Sequence, residues 1–312
     1  MKRGFLANDS AFFKLIISCI LIFACLSISF IISFLLAIPI FNLDFLEIIS
    51  KLSELEDSGN IQLLRYFQLV QSMGLFIIPP FILAYAFSKN ALNYLQLNRN
   101  PFIYATIIVI ITILVSLPII NYLAELNSRL KLPESLYKIE EWMLDKERIA
   151  EKITKTFLVV ETLDGFLLNL FMISILPAIG EELLFRGILQ RLLIDFFKSK
   201  HIGVLTGAII FSAFHLQFYG FLPRMLLGLY LGYILLWGEN IWLPIIAHLV
   251  NNATAVIYYY LITKKDISID LENIGATTKT FWYVPISGAL LIILIWMTYR
   301  IYFKSKRFSH SL

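Results

Sequence analysis

The segment Pro177–Gly187 contains the residues whose types and spacing are best suited to chemistry. Its adjacent acids Glu181 and Glu182 are followed by Arg186, and the residues on both flanks are strongly apolar. A charged group in hydrocarbon costs about 3 kcal/mol or more, so an ionisable group inside a membrane segment is first considered as a functional group. Glu182 and Arg186 are four residues apart and can pair on one helix face. Arg186 is better placed for Glu182 than for Glu181, so a structural ion pair explains Glu181 less easily.

Two of the four histidines lie inside other apolar segments. Phe211 and His215 are four residues apart, as are His248 and Asn252, so each pair shares a helix face. A carboxylate near an imidazole can deprotonate water, and a second imidazole with an amide can donate hydrogen bonds to a developing oxyanion. A carboxylate with two imidazoles can also hold a zinc ion with an open coordination position. Both schemes end in the attack of water on a carbonyl group.

Each of these groups also has a simple structural explanation. A single buried histidine, or Asn252 alone, most often forms a hydrogen bond between packed helices, and Glu182 with Arg186 is most simply a structural ion pair. The combination of all these groups in one chain favours a shared site. Helix rise allows them to lie at similar depth if their segments tilt, with His215 fitting least well. The sequence contains no H-E-x-x-H or G-x-S-x-G motif, which disfavours a conventional zincin or serine hydrolase.

The composition is that of a membrane protein with many spans. The chain has 312 residues, 59% hydrophobic and 15% charged, and its mean hydropathy is +0.78. Soluble domains have about 45–50% apolar and about 25% charged residues. We therefore predict an all-α, polytopic transmembrane helix bundle of about eight spans. The net charge of +4 is small and no basic stripe is present, so nucleic acid is excluded as a partner. Cys19 and Cys25 lie on one predicted helix, where a disulfide between them is disfavoured.

The apolar segments and short basic loops predict the topology. The predicted spans cover residues 14–41, 66–88, 101–122, 163–197, 202–219, 222–238, 241–262 and 281–303. Pro79 and Pro80 predict a kink in the second span. If every segment crosses, one side carries Lys2, Arg3, Lys89, Arg99, Lys198, Lys200, Lys304, Lys306 and Arg307. The positive-inside rule makes that side cytoplasmic, with both termini inside, although seven Lys and Arg residues in segment 123–160 count against this orientation.

Three motifs in sequence carry a family resemblance. They are Glu181-Glu182-x-x-x-Arg186, Phe211-x-x-x-His215 and His248-x-x-x-Asn252. Their order and spacing resemble the CPBP family of intramembrane endopeptidases, which comprises CaaX proteases and bacteriocin-processing enzymes and is also called the Abi family. Phe185 and Gly187, on either side of Arg186, match the commoner family form. The resemblance covers roughly residues 160–262, and the other spans match only as generic membrane helices.

The resemblance implies an all-helical membrane peptidase that cuts peptide bonds in or near the bilayer. By analogy, Glu181 activates the attacking water with help from His215. The residues assigned to the oxyanion are His248 and Asn252, and the supporting residues are Glu182, Arg186 and Phe211. The family has been described both as metalloproteases and as glutamate-dependent enzymes without a catalytic metal. The expected cofactor is therefore either a divalent metal such as zinc, with Glu181, His215 and His248 as candidate ligands, or none.

The expected organisation follows from the spans and the resemblance. We predict an N-terminal three-span region over 1–122, an extracytoplasmic loop over 123–160 with an amphipathic helix from Glu134 to Lys155, a CPBP-like catalytic core over 161–262, and a C-terminal span with a basic tail over 263–312. The expected partners are membrane lipid and a peptide or membrane-protein substrate. Short inner loops and many aromatic residues favour a bacterial inner membrane.

Two other functions remain open at this point. One is a non-catalytic immunity or interaction protein on the same fold, which the complete set of motif residues disfavours. The other is a proton-coupled transporter, because intramembrane Glu, His and Arg also serve in proton relays. A transporter of that kind would show repeats with broken helices, and the sequence has no internal repeat. Nothing in the sequence specifies a prenyl pocket, so a prenylated substrate is not predicted.

Overall fold

The structure is a computed structural model that describes residues 4–53, 60–264 and 270–309, with side chains up to residue 302. Within these ranges every regular element is helical and no strand is present, which confirms the prediction of an all-α chain. The predicted inner-face charges of Lys2 and Arg3 lie outside the described residues. The side chains of Lys304, Lys306 and Arg307 in the predicted basic tail lie outside them as well.

The helices follow one another with short connections. The described helices are α1 (Ala11–Phe41), α2 (Phe45–Ser53), α3 (Ile61–Ser88), α4 (Ala91–Tyr94), α5 (Ile103–Val115), α6 (Leu117–Ser128), α7 (Tyr137–Leu158), α8 (Leu163–Phe197), α9 (Lys200–Phe214), α10 (Phe221–Gly238), α11 (Trp242–Thr263) and α12 (Tyr283–Ser309). Single 3₁₀ turns at Glu134–Leu136 and Phe218–Gly220 precede α7 and α10. The amphipathic helix predicted between Glu134 and Lys155 is therefore present as α7 and its preceding turn.

Among the described residues, six helices are long and apolar enough to cross a membrane, or seven if one bent pair counts as a span. The chain is thus a multi-pass membrane protein, and the predicted number of about eight spans is approximate. The predicted fifth span, 202–219, is the main difference. Its helix α9 has only 15 residues, about 22 Å, which is shorter than the hydrocarbon layer of about 30 Å. The helix ends before His215, and Leu216 adopts a left-handed φ of 52°.

The predicted third span, 101–122, is not one straight helix. It consists of α5 and α6, which are bent by 43° relative to each other. The break falls at Ser116, and Pro118 stands in the first turn of α6. Proline has no backbone N–H and its ring clashes with the preceding turn, so it is tolerated at a helix start but breaks a helix interior.

Two of the long helices contain π-helical turns. In α3 the turn Met73–Ile77 comes directly before the Pro79–Pro80 pair, where the sequence predicts a kink. In α8 one π-helical turn spans Leu170–Ile175 and a second spans Leu183–Leu189, which contains Arg186. Such turns are rare and frequently occur at functional sites. The regular segment between them, Leu176–Glu182, carries both acids of the first motif.

Helix α8 lies at the centre of the bundle, with α3, α9 and α11 packed around it. Gly180 brings α8 close to α3, because a Cβ atom there would lie 2.6 Å from Cβ of Phe76. Close approach through small residues is typical of helix packing in membranes, where the hydrophobic effect does not drive association. The second and third motifs reach α8 from the end of α9 and from the first half of α11.

A pair of glycines on α9 tests this packing. A Cβ atom on Gly203 would lie 2.7 Å from the backbone N and Cα of Ile194 on α8, whereas one on Gly207 would meet nothing closer than 3.8 Å. We expect Gly203→Ala to lower the free energy of unfolding by about 1–3 kcal/mol, as overpacking does, because two backbones must separate. Gly207→Ala is the matched control and should be neutral or stabilising. Denaturant unfolding in detergent measures both, and equal effects would contradict the tight α8–α9 contact.

Candidate active site

A buried ionic network joins α8 to α11. The side chain of Glu182 is 0% exposed and that of Arg186 is 2% exposed. Arg186 Nη1 donates to Glu182 Oε1 at 2.9 Å, and Nδ1 of His248 lies 2.8 Å from the same oxygen. Arg186 Nη2 also donates to the carbonyl oxygen of Gly228 on α10, at 3.3 Å. The Glu182–Arg186 pair expected from the spacing is present, and it also fixes the orientation of the His248 ring.

The acid and the two histidines of the three motifs come together beside this network. Oε2 of Glu181 lies 4.0 Å from Nε2 of His215 and 4.0 Å from Nε2 of His248. The side chains of Glu181 and His215 are 12% and 28% exposed, whereas the Oε2 atom of Glu181 is itself buried and has no hydrogen-bond partner among the described residues. A water molecule that makes hydrogen bonds of about 2.8 Å to two groups bridges a gap of about 4–5 Å. The Glu181–His215 gap therefore suits one bridging water.

The backbone of α9 sets the tautomer of His215. Nδ1 of His215 lies 2.9 Å from the carbonyl oxygen of Phe211. A carbonyl oxygen only accepts hydrogen bonds, so in neutral His215 the proton is on Nδ1, and Nε2 is an acceptor. The ring stands at the point where α9 ends, and the left-handed Leu216 turns the chain away immediately afterwards. The short α9 thus leaves His215 facing Glu181 with an unprotonated nitrogen.

Phe211 is the aromatic centre of the site. The guanidinium carbon of Arg186 lies 4.2 Å from the centroid of its ring, which is a cation–π contact. The ring also packs edge-on against His215 at 5.1 Å and against His248 at 5.9 Å between centroids. One buried side chain therefore contacts both histidines and the arginine.

The side-chain amide of Asn252 forms hydrogen bonds with groups other than the acids and histidines of the site. Its Nδ2 donates to the carbonyl oxygen of Ile173 at 3.2 Å, and its Oδ1 accepts from Asn251 at 3.1 Å. Among the described contacts it makes no direct hydrogen bond to the acid or imidazole groups. An amide nitrogen has two N–H groups, so one remains for another acceptor. The predicted role of Asn252 at an oxyanion stays a prediction.

The candidate metal ligands are too widely spaced for a zinc ion. Within the described residues, no group of three His, Cys, Asp or Glu side chains has the arrangement of a metal site. Zinc with ligand distances of about 2.1 Å and tetrahedral geometry separates its donor atoms by about 3.4 Å. The separations of Glu181 from His215 and from His248 are both 4.0 Å. In this arrangement, Glu181, His215 and His248 do not fit the zinc ion that the sequence analysis considered as one of two possibilities.

The sequence patterns did not predict two features of the site. The first is the contact of His248 with Glu182, because only the fold brings α11 against the second acid of the pair. The second is Arg224 in the first turn of α10, whose charge interacts with Glu181 and with His215. A signal for Arg224 was available, since it is a charged residue inside the predicted span 222–238.

Comparisons with known proteins agree with the motifs. Residues 163–254 match the family described as type II CAAX prenyl endopeptidase Rce1-like. This match confirms the resemblance to the CPBP family over that segment. The chain is also 30% identical over 89 residues to the uncharacterized protein YpbD of Bacillus subtilis (strain 168). That alignment covers 27% of this chain and 42% of the relative. No solved structure gives a significant match.

Proposed function

We propose that this chain is an intramembrane endopeptidase that hydrolyses a peptide bond of a membrane-associated substrate, using water activated by Glu181 and His215. The observation that carries the proposal is the 4.0 Å gap between Oε2 of Glu181 and Nε2 of His215, which suits a single water. The Rce1-like match over residues 163–254 supports the same class of reaction. The alternative of a non-catalytic scaffold explains the fold but not this spacing.

In the proposed mechanism, the water donates one hydrogen bond to Glu181 and the other to Nε2 of His215. Both protons of the water are then engaged, and an oxygen lone pair points to the carbonyl carbon of the substrate. As the C–O bond forms, the proton on the Glu181 side moves to the carboxylate, which acts as general base. The carbonyl oxygen becomes an oxyanion. When the C–N bond breaks, the protonated acid returns this proton to the leaving amine.

His248 and Asn252 are the proposed partners of the oxyanion. With Nδ1 of His248 bound to Glu182, Nε2 is the ring atom on the side of Glu181. An Nε2–H donates to the oxyanion when the ring carries two protons. The remaining N–H of Asn252 is a second donor. Preorganised donors of this kind are each worth about 10²–10³ in rate, because they do not have to reorganise during the reaction.

The proposal extends to the rest of the chain. The catalytic core is residues 161–262, preceded by a three-span region over 1–122 and a loop over 123–160, and followed by a span and basic tail over 263–312. We place the protein in a bacterial inner membrane with both termini in the cytoplasm and the 123–160 loop outside. Its partners are membrane lipid and a peptide or membrane-protein substrate.

A cleavage assay that compares the wild type with the His215→Ala variant tests the proposal. The purified chain is reconstituted in liposomes with a set of single-span membrane peptides, and new peptide termini are identified by mass spectrometry. We expect the wild type to produce discrete termini and His215→Ala to slow their appearance by about 10²–10⁴, the usual contribution of a positioned acid or base.

His201→Ala is the matched control for this variant. His201 is exposed, and its Nδ1 lies 2.9 Å from the hydroxyl of Tyr233, away from the acids. The His201→Ala protein should therefore cleave the peptides at the wild-type rate. Equal cleavage by the wild type and by a folded His215→Ala protein would exclude the proposed mechanism.

A further inference from the structure

The side-chain amide of Asn252 is held at both of its ends. Its Nδ2 donates to the carbonyl oxygen of Ile173 on α8 at 3.2 Å, and its Oδ1 accepts from Nδ2 of Asn251 at 3.1 Å. Rotation of an asparagine amide by half a turn exchanges its donor end and its acceptor end. In the rotated form, Oδ1 of Asn252 would face the oxygen of Ile173, and two acceptors cannot form a hydrogen bond. Both contacts therefore favour the same orientation of the amide.

A proline in α8 explains why the carbonyl group of Ile173 accepts this hydrogen bond. In an α-helix, each carbonyl accepts from the N–H four residues later, and the residue four after Ile173 is Pro177. Proline has no N–H, so the carbonyl of Ile173 has no α-helical donor. A backbone carbonyl without a donor is costly inside a membrane. Pro177 thus provides an acceptor on α8 at the point where α11 brings Asn252 against it.

Asn251 provides the donor for the other end of the amide. It comes directly before Asn252 on α11, and both side chains are partly buried. Consecutive residues of a helix do not share a face, so Asn251 is turned away from the face that carries His248 and Asn252. No hydrogen bond in the described part of the chain joins its side chain to the acids or histidines of the site. Among these groups, the side chain of Asn251 contacts the site through Asn252.

We propose that Asn251 and Pro177 are positioning residues, which hold the amide of Asn252 so that its second N–H is available to the oxyanion. The inference rests on the proposed peptidase function. Nδ2 has two N–H groups, and the carbonyl of Ile173 engages one of them. A donor that is oriented before the reaction does not have to reorganise as the charge develops, and such a donor is worth about 10²–10³ in rate. Asn251 and Pro177 act through Asn252 and do not touch the substrate.

Hydrogen exchange at the side-chain amide of Asn252 tests this orientation without hydrolysis. The chain is labelled with ¹⁵N-asparagine in lipid nanodiscs, and the signals of Asn252 are identified by their absence in Asn252→Ala. We expect its protected N–H to exchange about 3- to 10-fold faster in Asn251→Leu, the factor that a lost hydrogen bond gives. Pro177→Ala should have the same effect, because its new N–H competes with Asn252 for the carbonyl of Ile173. Wild-type exchange in both variants would overturn the inference.

Two variants that make the same chemical changes elsewhere are the controls. Asn121→Leu removes an amide that donates to the carbonyl oxygens of Leu271 and Ile274. Pro39→Ala removes a proline from the interior of α1. Neither residue forms a described hydrogen bond with Asn252. Both variants should therefore keep the wild-type exchange rate of the Asn252 amide.

Cleavage kinetics then show whether the reaction uses this orientation. Asn251→Leu and Pro177→Ala should each lower kcat by about 10- to 100-fold and leave KM unchanged, because the oxyanion exists only during the reaction. In an Asn252→Ala background, neither change should lower kcat further, since both act through Asn252. A further loss of kcat in that background would overturn the inference. A wild-type chain that cleaves no peptide would contradict the proposed function, whereas the exchange experiment would still decide the orientation of Asn252.

Discussion

Replacing Glu181 with glutamine is expected to reduce peptide cleavage by about 10²–10⁴, the contribution of a positioned general base. Glutamine has the same shape and can still donate or accept a hydrogen bond, but it cannot take a proton from water. Oε2 of Glu181 is the atom 4.0 Å from both histidines, so no other described acid has its position. The loss should appear in the rate of the chemical step, because the carboxylate acts on the water and not on the bound peptide.

Single-turnover cleavage in liposomes, with enzyme in excess over peptide, measures this step. Glu161→Gln is the matched control. Glu161 is exposed just before α8, so this variant makes the same chemical change away from the site. A folded Glu181→Gln protein that cleaves at the wild-type rate would contradict the assignment of the base.

Replacing Arg186 with methionine is expected to have the largest effect on stability. The change removes the positive partner of Glu182, whose side chain is 0% exposed, and the contact of the guanidinium with the Phe211 ring. Breaking a buried ion pair by removing one partner typically costs about 3–5 kcal/mol, because the remaining charge is left without compensation. His248 would remain as the only described side-chain partner of Glu182.

Equilibrium unfolding in mixed detergent measures this cost. The double variant Glu182→Gln with Arg186→Met should recover part of the loss, since no buried charge is then left unpaired. Arg129→Met is the control for an exposed pair and should change stability by about 1 kcal/mol or less. A double variant less stable than Arg186→Met alone would show that the uncompensated charge of Glu182 is not the cause.

Much of the fold follows from the sequence, because membrane spans are specified by local composition. The apolar segments identify most helices within a few residues, and the spacing of Glu182 and Arg186 predicts their pair. The sequence does not reveal that α9 stops short of a full span. That end depends on the left-handed turn at Leu216 and on how α9 packs against α8, which hydropathy does not encode.

The site is less predictable than the fold, because it depends on contacts between distant helices. Spacing shows which residues share a helix face, but the choice of Glu182 over Glu181 as the partner of His248 depends on the rotation of α11 against α8. Asn252 illustrates the same limit. It shares a helix face with His248, which suits a donor to an oxyanion. In the structure, its Nδ2 donates to the carbonyl oxygen of Ile173, which lies in a π-helical turn of α8.

The central claim is that Glu181 and His215 act on one shared water, and a double-variant cycle tests it most directly. Single-turnover rates are measured for Glu181→Gln, His215→Ala and the combination. If both groups hold the same water, the combined variant should be only slightly slower than the slower of the two single variants. Groups that act as a unit have strongly non-additive effects on the rate. Losses that multiply in the combined variant would show that the two residues act independently, and would contradict the account.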